Sequence, residues 1–177
     1  YYLNISRCRN LTDVSKLTNV HTLKLNECLG ITDVSMLGKC HILSLRGCDN
    51  IDDVSMLGNV KKLILSNCKR IKDISALGNV DNLKLAGCTG IRDFSMLGKA
   101  SILDLTNTYI SDVSNLSNVT DLSLYGCIYV TDVSMLGKVK HLNLGNCCNI
   151  SDVSKLGNVK TLILNNCSGL RDISMLG

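Results

Sequence analysis

Residues 20–39 read Val20-His21-Thr22-Leu23-Lys24-Leu25-Asn26-Glu27-Cys28-Leu29-Gly30-Ile31-Thr32-Asp33-Val34-Ser35-Met36-Leu37-Gly38-Lys39, and variants of this phrase run the length of the 177-residue chain. Aligned on the acid, they place Asp13, Asp33, Asp53, Asp73, Asp93, Asp112, Asp132, Asp152 and Asp172 in one column. Every step is 20 residues except the 19 between Asp93 and Asp112. A fixed period of this size marks stacked copies of one supersecondary unit, each too small to bury its own apolar side chains. The composition agrees. There is no Pro and no Trp, and Phe94 and five Tyr are the only aromatics, so the core is built from Leu, Ile and Val used repeatedly.

Within the unit, Leu23 and Leu25 alternate with Thr22, Lys24 and Asn26, the period of a strand with leucines inward and polar residues outward. Ile31, Val34 and Leu37 recur every third residue, which suits a tight 3₁₀ turn. Twenty residues leave little room for an α-helix behind the strand. Successive strands are predicted to stack in parallel, about 4.8 Å apart.

The spacing of Val20, Leu23, Leu25 and Cys28 resembles the signature of leucine-rich repeats. The cysteine followed by Ile-x-Asp resembles the cysteine-containing subfamily, and the short Asp-Val-Ser-x-Leu back half resembles internalin-type repeats. The phrase Asp53-Val54-Ser55-Met56-Leu57-Gly58-Asn59-Val60 is similar to repeat proteins encoded by large amoeba-infecting DNA viruses. The resemblance covers essentially the whole chain. It implies an α/β-type repeat solenoid, a right-handed horseshoe with a parallel β-sheet on the concave face and 3₁₀ and loop segments on the convex face. Residues 1–177 are expected to form a single domain of about nine coils, one shortened at 103–111. The chain reads as a fragment without capping repeats.

Two columns attract chemistry and are better explained as scaffold. Cys8, Cys28, Cys48, Cys68, Cys88, Cys127, Cys147 and Cys167 form a ladder broken only by Thr108. Zinc needs four ligands converging tetrahedrally, whereas a ladder sets its sulfurs in a line. The expectation is buried thiols donating weak S–H bonds to loop carbonyls, with Cys40 also in the core and Cys148 exposed. So many free thiols point to a reducing, intracellular setting: cytoplasm or nucleus, or a host cell or virion if the chain is viral. The Asp column, including Asp33, Asp53 and Asp73, and the Ser two residues beyond each Asp occur in every coil. Catalysis needs one site, whereas every coil needs a cap, so each Asp is expected to take backbone N–H groups at the N-cap of a short turn.

The loop after Cys carries one residue more than the usual repeat. Its second position holds Asn10, Gly30, Asn50, Arg70, Gly90, Tyr129, Asn149 and Gly169, mostly residues that tolerate positive φ. A left-handed residue is predicted there, with Arg70 and Tyr129 strained. The coil with Thr108-Tyr109-Ile110 lacks the extra residue and should be flatter.

Function is sought where the columns vary. On the outward strand face Arg46, Ile64 and Tyr125 are the best anchors for a partner. Net charge is +4, yet nine of the 15 acids sit in the Asp column, leaving six against 19 bases. Lys61, Lys62, Lys69, Arg70 and Lys72 cluster in one coil, a basic patch that could attract nucleic acid or an acidic partner. No aromatic platform interleaves with it. His21, His41 and His141 are placed just before strands in separate coils, and no phosphate loop, nucleophile elbow or metal-ligand spacing occurs. No cofactor is expected, and no apolar run approaches a membrane span.

The sequence therefore points to a non-enzymatic scaffold binding another protein, with Arg46, Ile64, Lys61, Lys62, Arg70, Tyr125 and Tyr129 as candidate contacts. Nucleic-acid binding is the alternative. The family resemblance adds a substrate-recognition arm of a ubiquitin-ligase adaptor, and the viral resemblance a host-interaction or virion-associated role. Self-association through uncapped ends is a further expectation.

Overall fold

The computed structural model describes residues 1–176. Each repeat contributes one three-residue strand: β1 (Tyr2–Asn4), β2 (Thr22–Lys24), β3 (Ile42–Ser44), β4 (Lys62–Ile64), β5 (Asn82–Lys84), β6 (Ile102–Asp104), β7 (Asp121–Ser123), β8 (His141–Asn143) and β9 (Thr161–Ile163). They form one parallel sheet in chain order. Register follows the repeat, so Leu23, Leu43, Leu63, Leu83, Leu103, Leu122, Leu142 and Leu162 pair in turn. Bonding between coils continues past each strand, as in Leu25 N–H to Ser44 O (2.8 Å) and Glu27 N–H to Arg46 O (2.8 Å).

The back of each coil from the second onward is a short 3₁₀ turn, such as Ser55–Leu57 or Ser95–Lys99. Only the third member of the apolar triplet lies within it: Leu57 is in the turn, whereas Ile51 and Val54 precede it, Val54 as its N-cap at φ −125° and ψ 14°. Leu23, Leu25, Cys28, Ile31 and Leu37 are fully buried, and so are their counterparts through the middle coils. At the first and last described coils Leu3, Ile5, Leu162 and Leu164 are only partly covered, each lying against a described coil on one side.

One expectation is corrected. The left-handed residue does not follow the cysteine; it precedes it. Arg7, Glu27, Gly47, Asn67, Gly87, Asn107, Gly126, Asn146 and Asn166 all have φ between 55° and 70°. This residue turns the chain out of the strand and swings the next side chain, the Cys, inward. Arg70 and Tyr129 are therefore unstrained. Glycine after the cysteine serves close approach: a Cβ on Gly30 would stand 2.6 Å from Leu11 O of the preceding coil. Where that position is Asn, the amide uses the same proximity, as in Asn50 Nδ2 to Leu29 O (2.7 Å) and Asn149 Nδ2 to Ile128 O (2.7 Å).

The Asp column also differs in detail. Asp33 is one residue ahead of the N-cap, which is Val34. Its Oδ1 accepts the backbone N–H of Ser35 at 2.8 Å, closing an Asx turn, and all nine coils repeat that bond at 2.8–2.9 Å. The bond from the Ser amide holds each carboxyl below the usual carboxylate range, against a small opposing push from stacked neighbours such as Asp33 and Asp73 on Asp53.

Candidate interaction surfaces

The cysteines lie inside the wall of the solenoid. Cys48 Sγ donates to Leu25 O at 3.0 Å, Cys68 to Leu45 O at 3.1 Å, Cys88 to Leu65 O at 3.0 Å and Cys147 to Leu124 O at 3.0 Å. Each acceptor is the carbonyl of the residue that follows the strand of the preceding coil. Burial pushes the Cys48 and Cys88 thiols up to about 11 and the Cys147 thiol to about 12, so they stay protonated and unreactive. Cys8, in the first described coil, is exposed, and Cys148 is exposed in its loop. In the short coil Thr108 is buried, and its Oγ1 bonds Leu105 O at 2.7 Å within the coil.

The histidines occupy two columns. His21 and His41 precede strands and stack at 4.6 Å. His141 instead opens β8, since the 19-residue step shifts the count by one, and lies 3.9 Å from Asp121.

The outward sheet face is varied and divided by charge. Lys24, Lys62 and Lys84 project from β2, β4 and β5, with Arg46 just past β3, and no acid projects from these strands. Asp104 and Asp121 project from β6 and β7, and no Lys or Arg projects from β6–β9. Lys84 and Asp104 are register neighbours, so the sign changes between β5 and β6. Ile64 lies between Ser44 and Lys84, half-buried in the basic part. Tyr125 lies beside Gly145, and its hydroxyl accepts the Asn146 side-chain amide of the next coil. Ile64 and Tyr125 are three coils apart, roughly 14 Å at the strand spacing.

The basic cluster of the fourth coil does not converge. Lys61 and Lys62 enter β4, whereas Lys69 and Arg70 lie beyond its far end, so the strand stands between them. Arg70 Nη1 reaches Asn50 Oδ1 at 3.3 Å, and the Lys69 amide bonds the Asp49 carboxylate at 3.4 Å.

Tyr129, singled out in its loop, has a partner that sequence reading passed over. Its ring meets Tyr109 edge-on at 5.7 Å, and the Arg92 guanidinium lies over the Tyr109 ring, 4.5 Å from its centroid. The signal was present. Tyr109 and Tyr129 each stand three residues before the column Asp, but counted from the Cys column they fall in different positions.

These features settle the architecture. The chain has the leucine-rich-repeat fold. Among solved structures it is similar to an internalin (InlF) of Listeria monocytogenes, with TM-score 0.70 and 25% identity over 93% of this chain, which spans 53% of that one. Internalin C2 of the same organism matches with TM-score 0.70 and 26% identity, covering 92% of this chain and 78% of that one. The functional domain of InlJ, described as including a cysteine ladder, matches in fold with TM-score 0.63 at 22% identity, covering 93% of this chain and 44% of that one. No protein-family model and no curated protein matches the sequence. No helix among the described residues is long and apolar enough to cross a membrane.

Proposed function

We propose that this leucine-rich-repeat chain is a non-enzymatic scaffold that binds another protein on its sheet face. The observation that carries the reading is the composition of that face. It presents segregated charges of both signs around half-buried Ile42, Ile64, Ile102 and Tyr125. Nucleic acid carries one sign, so β2–β5 would attract it and β6–β7 would repel it. A folded protein can match both, and complementary charge sets orientation and association rate. The free thiols, ten in the sequence, support a reducing compartment.

The test immobilises the full chain and captures partners from extract with and without nuclease. Capture is expected to survive nuclease, to fall about tenfold or more with Ile64→Asp or Tyr125→Ala, and to fall with either Lys84→Glu or Asp104→Lys. Loss on nuclease treatment, or a steep salt dependence relieved only by the lysine reversals, would sink the protein reading in favour of nucleic acid.

A further inference from the structure

The short coil departs from its neighbours just after its inward residue. In the neighbouring repeats the chain makes a turn after the cysteine, with Ile91 N–H bonded to Cys88 O at 3.4 Å and Val130 N–H to Cys127 O at 3.2 Å. Coil six, one residue shorter, runs from Thr108 to Ile110 without that turn. A notch results, lined by Arg92 of the fifth coil, Tyr109 and Ser111 of the sixth and Tyr129 of the seventh.

Arg92 is held ready in this notch. Both N–H groups of Nη1 are engaged, donating to Thr89 O at 2.7 Å and Ile91 O at 3.0 Å. The plane of the guanidinium is further fixed against the Tyr109 ring. Its Nε and Nη2 edge, the pair of donors that matches a carboxylate, is left over. Among the described residues no carboxylate oxygen lies within ion-pair distance of Arg92, although Asp93 follows it in sequence. Asp93 is turned away, accepting the Ser95 amide at 2.9 Å. Beside this cation stand two tyrosine rings, 42% and 51% exposed. Exposed Tyr and Arg packed together are the residue types that dominate binding energy at protein interfaces.

We propose that this notch is a second docking site, separate from the sheet face, for an acidic side chain of a protein segment. The carboxylate of an Asp or Glu pairs in bidentate fashion with Nε and Nη2 of Arg92, and an apolar neighbour rests on Tyr109 and Tyr129. The occupant follows from charge: one oriented, unneutralised cation against an apolar wall selects an anion carried beside an apolar group. The site does not depend on the sheet face being used, and the two have different tyrosine reporters.

The test is fluorine NMR of the full chain carrying fluorotyrosine, its five tyrosines assigned by single Tyr→Phe variants. The probe is a blocked peptide of alternating leucine and glutamate, against the same peptide with glutamine and against inorganic phosphate. The glutamate peptide is expected to shift the Tyr109 and Tyr129 signals saturably and to leave Tyr125 in place. The glutamine peptide and Arg92→Gln should each weaken binding at least about tenfold, and Arg92→Lys by about as much, because lysine keeps the charge and loses the fork. Equal binding of the glutamine peptide, binding of phosphate as tight as that of the glutamate peptide, a response at Tyr125 alone, or an unchanged Kd in Arg92→Gln would each overturn the proposal. Arg92 also satisfies two carbonyls, so its variants are checked by thermal unfolding. Tyr129→Ala, which leaves the guanidinium in place, must weaken binding as read at Tyr109.

Discussion

The corner before each column Cys, or before Thr108 in the sixth coil, is occupied by Gly or Asn in seven coils, and by Arg7 and Glu27 in the other two. Those two left-handed residues are bridged, Arg7 Nε to Glu27 Oε2 at 3.2 Å, on the surface where such a pair contributes little. Glu27→Asn should therefore raise stability by about 0.5–1 kcal/mol, read as a higher urea midpoint at unchanged slope. The Asp and Cys columns set the pH response. Ser amides depress the Asp carboxyls, so their contribution is present above the ordinary carboxylate pKa and is lost as pH falls. Burial raises the thiols above their ordinary 9.0, so the folded state keeps protons that the unfolded chain releases, and stability falls as pH rises past that value. Thermal melts should show a plateau between about pH 5 and 8 with declines on both sides. A plateau unbroken to pH 10.5 would contradict the buried thiol ladder. In native protein, a maleimide should label Cys8 and Cys148 fast and the other eight only on unfolding.

One coil is a strand, a left-handed corner, an inward Cys or Thr, an Asx turn and a 3₁₀ turn, and its parts are tied more to adjacent coils than to each other. Leu65→Ala in the fourth coil removes a fully buried side chain between two filled coils that cannot collapse into the space. A loss of about 3 kcal/mol is expected in chemical denaturation. The sixth coil invites the converse experiment. Inserting one glycine between Thr108 and Tyr109 restores the period and should change stability little, since surface loops accommodate added residues. It should also separate Tyr109 from Arg92, read as loss of the cross-relaxation between the Tyr109 ring and the Arg92 side chain in NMR. Retention of that contact would mean that the notch does not arise from the missing residue.

The whole molecule is a one-dimensional stack in which stability is the sum of coil and interface contributions. Interior coils have two buried faces and the outermost described coils one, as the partial cover of Leu3 and Leu162 records. Amide exchange in the 177-residue chain should be slowest for the strand amides of β4–β6 and fastest in β1 and β9, grading between them. A single uniform protection level across all nine strands would instead indicate all-or-none unfolding. The same stacking lays the outward columns side by side, which is how four cations and two acids remote in sequence become two fields on one face.

Repeat length, strand position, inward leucines and parallel order were all legible before the fold was seen. A 20-residue period leaves one way to pair identical strands, and alternation at Leu23 and Leu25 names the buried side. The corner was misplaced because Gly and Asn occur on both sides of the cysteine for different reasons: backbone handedness before it, close approach or an amide bond after it. Side-chain chemistry between coils depends on neighbours about 20 residues away and on small offsets in depth, which no single repeat encodes. Thus the basic cluster around Lys61 and Arg70, contiguous in the chain, is parted by β4. Arg92, Tyr109 and Tyr129, each in a different coil and hidden by the 19-residue step, meet only when the coils stack.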